Sequence, residues 1–86
     1  MPEISRFFGI VVRMYFDDHA PPHIHFDYQG QRAVFDFSGD IHRGTLGSRT
    51  AIRLVQEGIA LHVDELHADW ELAQNGRDLN LINPLE

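Results

Sequence analysis

Two histidines stand two residues apart in the run His23-Ile24-His25. In an extended strand that spacing puts both imidazoles on one side, about 6.5–7 Å apart along the chain. Such a pair supports two kinds of chemistry. Neutral ring nitrogens ligate divalent metals, and the ring also moves protons near neutral pH. For a metal, His23 and His25 need a third ligand. The preceding loop offers His19, Asp17 and Asp18, so a divalent metal ion is the cofactor this pattern points to. A denser ligand signature such as HExxH is missing.

Proton transfer needs different companions. Cleavage of RNA without a metal requires a general base, a general acid and cations at the phosphate, because the 2′-OH supplies the nucleophile. His23 steadied by Asp36 fits one role, and His25 or His19 fits the other. Arg13 and Arg32 are the forks for the phosphate, with Tyr15 beside them. Every one of these residues also has a plain structural reading. A histidine opposite an aspartate is often a simple polar pair, and Asp27 with Arg32 is an ordinary cross-strand ion pair worth under about 1 kcal/mol.

Both chemistries depend on strands that alternate. His23–Tyr28 (HIHFDY) and Arg32–Ser38 (RAVFDFS) each place apolar residues at every second position. Gln29-Gly30 between them reads as a two-residue hairpin loop, with glycine supplying a positive φ. That loop sets Ile24 opposite Phe35 and Phe26 opposite Ala33 on an apolar face. It sets His23 opposite Asp36, His25 opposite Val34 and Asp27 opposite Arg32 on a polar one. A one-residue slip would break the apolar face, so the pattern supports this register. Phe8–Phe16 suits a central strand, with Arg13 and Tyr15 joining the polar face, and Gly9 reads as a bulge or a close helix contact. Ile41–Leu46 offers a fourth strand, with Arg43 close to Asp36.

From Ser48, a plausible N-cap, the apolar period becomes helical through Ala51, Leu54, Val55 and Ile59. A second stripe, Val63, Leu66, Trp70 and Ala73, predicts a helix from about Val63 to Asn75, closed by Gly76. One unbroken helix over both stretches would be about 42 Å long, too long for so small a core, so a break falls near Leu61–Asp64. Trp70 lies on the core stripe. The expected fold is α+β: a two-layer sandwich, single domain over 1–86, with an antiparallel sheet of three to four strands followed by two helices on one face. The other sheet face, carrying the histidines, is left open.

The composition narrows the partners. Thirteen acids against seven bases give the 86-residue chain a net charge of −6, and every base is arginine. That balance opposes sequence-independent binding of nucleic acid, so RNA is a partner only if another molecule delivers it. The chain has no cysteine, which excludes a disulfide scaffold, a thiolate zinc site and cysteine catalysis. No apolar run is long enough to span a membrane. The opening MPEISRFFG lacks the pattern of a signal peptide, and the expected location is the cytoplasm.

The run MPEISRFFGIVVRMYFDDHAPPHIH, with ALHVDELHADWELAQNG from Ala60 to Gly76, closely resembles the domain-of-unknown-function family 4160. Its members begin with an ISRF-G-I run, continue through DDH-PPH-H and end with an LH…E…W-LA helix. Arg6, Asp17, Asp18, His19, Pro21, Pro22, His23, His25, Trp70 and Glu71 match that signature position by position. The resemblance implies a short prokaryotic protein, often encoded beside a second small protein in the manner of toxin–antitoxin pairs. It implies no particular reaction. Here the stretch between Arg53 and Arg77 lacks basic residues, which turns the helices away from RNA. Three readings follow: a toxin-like protein that works through a partner and uses its His/Arg face on RNA phosphates; a metal-binding protein using His23 and His25; and a non-catalytic interaction module whose free sheet edge pairs with another chain.

Overall fold

The computed structural model describes residues 3–16 and 18–82. Five strands come first: β1 (Glu3–Phe7), β2 (Ile10–Arg13), β3 (His23–Tyr28), β4 (Gln31–Asp36) and β5 (Ile41–Gly44). Two helices follow, α1 (Arg49–Leu61) and α2 (Val63–Gln74). The strands form one antiparallel sheet in the order of the chain, so the fold is α+β.

The β3–β4 hairpin carries the expected register, from Tyr28 opposite Gln31 to His23 opposite Asp36. Gln29 and Gly30 make the turn with φ of 48° and 79°. Strict alternation does the rest. Ile24, Phe26, Ala33 and Phe35 are buried, and with Ile10, Val12 and Met14 they pack into one core with Val55, Ile59, Leu66 and Trp70.

The sheet has five strands where three or four were expected, and the extra one is β1. Phe8–Phe16 is not one central strand. Phe8 and Gly9 form a two-residue turn at φ of 48° and 75°, and β2 begins only at Ile10. Phe8 is therefore 63% exposed, and Gly9 is a turn residue rather than a bulge. The pairing of β1 with β2 is irregular between Glu3 and Ser5, which buries the consecutive residues Ile4 and Ser5. A bulge of that kind erases the period-two signal by which a strand is read.

The helices obey their end signals. Ser48 Oγ accepts a hydrogen bond from the Ala51 N–H, at 3.2 Å. The chain breaks at His62 (φ −117°, ψ 22°), and the longest dimension of the molecule, 34 Å, shows why a single helix was excluded. After α2, Gly76 at φ 66° donates to the Ala73 carbonyl and Arg77 donates to the Leu72 carbonyl. These two bonds are the paired closures of a Schellman end. No helix of the described residues is long and apolar enough to cross a membrane.

After α2 the chain returns to β1 at Ile82. The Ile82 N–H donates to the Ile4 carbonyl at 2.8 Å, and the Asn80 N–H donates to Asp69 Oδ1 at 2.9 Å. Asp69 is 1% exposed, and its Oδ2 is buried with no hydrogen-bond partner. Burial raises its pKa, the Asn80 bond opposes the rise, and nearby Glu65 adds to it. A carboxyl raised in this way contributes stability while protonated, and the contribution is lost as pH rises through its folded-state pKa. We therefore expect Asp69→Asn, which keeps the acceptor for Asn80 without a charge, to stabilise the protein by about 1 kcal/mol at neutral pH. The gain should vanish near pH 3. Urea unfolding at both pH values checks this, and equal stability at neutral pH would contradict it.

Candidate metal centre

The loop from β2 to β3 builds the site. Met14 is buried and anchors its start, while Phe16 points outward at 44% exposure. Beyond it, Asp18 folds back over the end of β3. Its main-chain oxygen accepts from Gln74 Nε2 at 3.0 Å, which ties the loop to α2. Its Oδ1 accepts from the His19 N–H at 2.8 Å, which turns Oδ2 towards the histidines. That oxygen lies 2.8 Å from His23 Nε2 and 3.5 Å from His25 Nε2.

The two imidazoles stand together, with ring centroids 5.4 Å apart. His25 packs edge-on against Tyr15 at 4.3 Å, on the sheet face away from the helices. His23 is at the border of that face. Its ring meets Trp70 of α2 at 5.3 Å, so its side chain is only 14% exposed. Trp70 is a core residue, as its position on the stripe predicts, and it is also the back wall of this site.

The carboxylate partner of His23 is Asp18, not Asp36. Although Asp36 occupies the register position opposite His23, its carboxylate is committed elsewhere. Its Oδ1 accepts from the Ser38 and Asp40 N–H groups, and its Oδ2 lies 2.7 Å from His42 Nε2. The His42 hydrogen bond is the main reason that the Asp36 carboxyl is held below its usual pKa. Asp36 therefore organises the β4–β5 turn.

Of the three loop residues offered as a third donor beside His23 and His25, Asp18 is the one that meets them. Among the described residues, the group of three donors that converges is Asp18, His23 and His25, whose ligating atoms lie within 4.8 Å of one another. His19 instead lines a hollow of about 200 Å³ next to them, with Pro21, His42 and Arg43. Asp17, the other acid considered, lies outside the described residues.

The hydrogen bonding around His23 is unusual. Its Nδ1 lies 2.8 Å from the Pro21 carbonyl oxygen, and its Nε2 lies 2.8 Å from the Asp18 carboxylate. Both neighbours are acceptors, yet a neutral imidazole has one N–H. Either the ring is a clamped imidazolium, or Nδ1 carries the proton and a cation belongs between Nε2 and Oδ2. His25 favours the second arrangement. Its Nε2 is buried without a hydrogen-bond partner, and Asp18 Oδ2 stands 3.5 Å away. Burial also lowers the His25 pKa; the Asp18 carboxylate opposes this, and the charges of His23 and Arg43 reinforce it. A neutral ring keeps a lone pair for a metal. Burial alone would raise the Asp18 pKa, but the His19 N–H and His23 outweigh it and keep the carboxyl low.

The arginines divide. Arg13 Nη1 is paired with Asp27 Oδ2, and Arg32 Nε stands 3.6 Å from Asp27 Oδ1. Both expected phosphate forks thus attend one carboxylate, and Arg32 is 86% exposed. Arg43 has no ion pair among the described residues and lines hollows on both sides of the histidines. Sequence reasoning gave Arg43 to Asp36 and passed over Gln74. The acid Asp18 was only one of several loop candidates, and its place beside Trp70 in a shared signature was the available hint.

No curated protein and no solved structure matches the chain. A family model does match, over residues 9–71, well over half of the chain and including Asp18, His23, His25 and Trp70. The protein belongs to the family described as Domain of unknown function (DUF4160).

Proposed function

We propose that the protein binds one divalent transition-metal ion through Asp18 Oδ2, His23 Nε2 and His25 Nε2. The observation that carries this reading is the buried, unpartnered Nε2 of His25, which stands 3.5 Å from the same carboxylate oxygen that His23 contacts. Ligands about 2.0–2.2 Å from a tetrahedral metal stand about 3.3–3.6 Å from one another. The donors here span 2.8 Å to at most 4.8 Å, so small rotations seat an ion. The Pro21 carbonyl fixes the proton of His23 on Nδ1, as the outer contacts of metal-bound histidines do. Two histidines and one carboxylate leave at least one coordination position open to water or substrate.

Melting curves of protein purified without an affinity tag test the proposal. Zinc or cobalt at a hundred times its Kd stabilises the folded state by about 2.7 kcal/mol, and chelator reverses the gain. A midpoint that metal and chelator both leave unchanged would contradict it.

A second reading gives the same face to RNA. In it the protein is toxin-like, works with a small protein partner encoded nearby, and acts on RNA phosphates that the partner delivers. One observation favours this reading: Asp27 and Asp36 are taken by other groups, while Arg43, which has no ion pair among the described residues, stands beside His23 and His25. Expression of the wild type should then slow growth, and the His23→Ala/His25→Ala double variant should not. Equal growth of both would count against action at this face.

A further inference from the structure

We propose that Arg43 and the open side of the metal centre form an oxyanion subsite for a phosphate group. The inference rests on the metal reading for one of its two cations, and on Arg43 for the other.

The placement follows from the sheet. Arg13, His25, Val34 and Arg43 form one cross-strand row on the face that the helices leave uncovered. Arg43 is two strands from His25, about 9.5 Å at the backbone. An arginine side chain covers most of that span, and the short Val34 between them leaves it room to lie across. A hollow of about 450 Å³ opens there, lined by Tyr15, His25, Arg32, Val34 and Arg43. A second, of about 200 Å³, lies on the His23 side of Arg43. Arg43 therefore borders both spaces through which a ligand can approach the histidines.

Charge decides what that ligand is. Among the described residues, the four arginines of the face (Arg6, Arg13, Arg32 and Arg43) are matched by Glu3, Asp18, Asp27 and Asp36, so without a metal these side chains leave no excess of either sign. A divalent ion leaves two positive charges in excess, in a chain whose net charge is otherwise −6. A single oxyanion that touches the ion and Arg43 uses that excess. Bidentate guanidinium geometry selects phosphate or carboxylate over a spherical anion. The hydroxyl of Tyr15 and the guanidinium of Arg32 on the rim add donors, which suits the several oxygens of a phosphate group. The negative surface elsewhere repels a long polyanion, and so limits the site to one phosphate unless a partner supplies the attraction.

Inorganic phosphate is the first probe, followed by its 31P resonance with cobalt-loaded protein. Wild type should broaden the line strongly, because the phosphate sits beside a paramagnetic ion. Arg43→Gln should weaken phosphate binding at least tenfold, the size expected for one charged hydrogen-bonding group. Its cobalt absorption spectrum should be unchanged, and Arg43→Lys should fall between the two. Arg43 is an exposed edge-strand residue, so the variant's fold is checked by circular dichroism. A short oligoribonucleotide distinguishes the source of the phosphate. Binding no tighter than inorganic phosphate assigns the site to small phosphate compounds, and Arg43-dependent binding that is tenfold tighter assigns it to RNA. Cobalt binding with equal phosphate affinity in wild type and Arg43→Gln would overturn the subsite and leave the metal reading standing. Arg43-dependent phosphate binding without any cobalt binding would overturn the metal reading and, with it, the two-cation subsite.

Discussion

Asp18→Ala should lower cobalt or zinc affinity by at least about a hundredfold, with His23→Ala and His25→Ala showing similar losses. Outer contacts to metal ligands are themselves worth 10–100-fold, and a direct ligand lies at or beyond the top of that range. The contrast with neighbouring residues makes the prediction specific. Asp36→Asn, His19→Ala and His42→Ala alter groups of the same chemistry within the same surface, yet none of them belongs to the convergent set. They should bind metal with wild-type affinity. Calorimetric titration of all six variants tests the pattern. Loss of binding in His19→Ala with retention in Asp18→Ala would make His19 the third ligand and refute the proposed set. Asp18 should also matter most for geometry, since one residue meets both histidines and is itself anchored by the His19 N–H and by Gln74.

The largest effect on stability is expected at Gly44. Its φ is 75°, and a Cβ built there would stand 2.0 Å from the Arg32 carbonyl oxygen and 3.2 Å from the Ala33 Cα. Both neighbours are backbone atoms of β4 and cannot rotate aside. The same Arg32 oxygen accepts the Thr45 N–H at 3.1 Å, so moving it away breaks a hydrogen bond. The left-handed conformation alone costs a non-glycine residue about 1–2 kcal/mol. With the clash added, Gly44→Ala should destabilise the protein by about 3 kcal/mol or more. At roughly 0.05–0.15 kcal/mol per residue, that is a large share of what a chain this short has in total. Gly30→Ala is the control. Its φ is 79°, but nothing lies within 4 Å of the added carbon, so only the conformational cost of about 1 kcal/mol remains. Urea midpoints for the two variants should therefore differ clearly, and equal midpoints would refute the argument. Because β5 carries Arg43 and His42, Gly44 also holds the proposed oxyanion site in place.

What could be read from the sequence was the part governed by short-range rules. The Gln29-Gly30 loop and the parity of two alternating strands sufficed to pair His23 with Asp36 and His25 with Val34 across the hairpin. Capping chemistry at Ser48 and Gly76 marked helix ends within a residue or two. Register, however, states which residues are neighbours along the backbone, not which side chains bond. Asp36 is near His23 by register but serves its own turn, because the Ser38 and Asp40 N–H groups are closer in sequence and need an acceptor. Asp18 reaches His23 through a loop whose path no periodicity describes, steered by a contact to Gln74 far along the chain. Strand β1 was hidden for a related reason. Its bulge breaks alternation, and Phe8 occupies a left-handed turn position that favours glycine or asparagine, so Phe-Gly did not look like a hairpin loop.

The central claim concerns two nitrogen atoms, and NMR observes them directly. Long-range 1H–15N correlation of the histidine rings, recorded before and after one equivalent of zinc, reports which nitrogens are protonated and which are metal-bound. The account predicts that His23 and His25 both acquire zinc-bound Nε2 and protonated Nδ1, while His19, His42, His62 and His67 stay as they were. Unchanged Nε2 signals at positions 23 and 25, or zinc shifts at His19 and His42 instead, would contradict it.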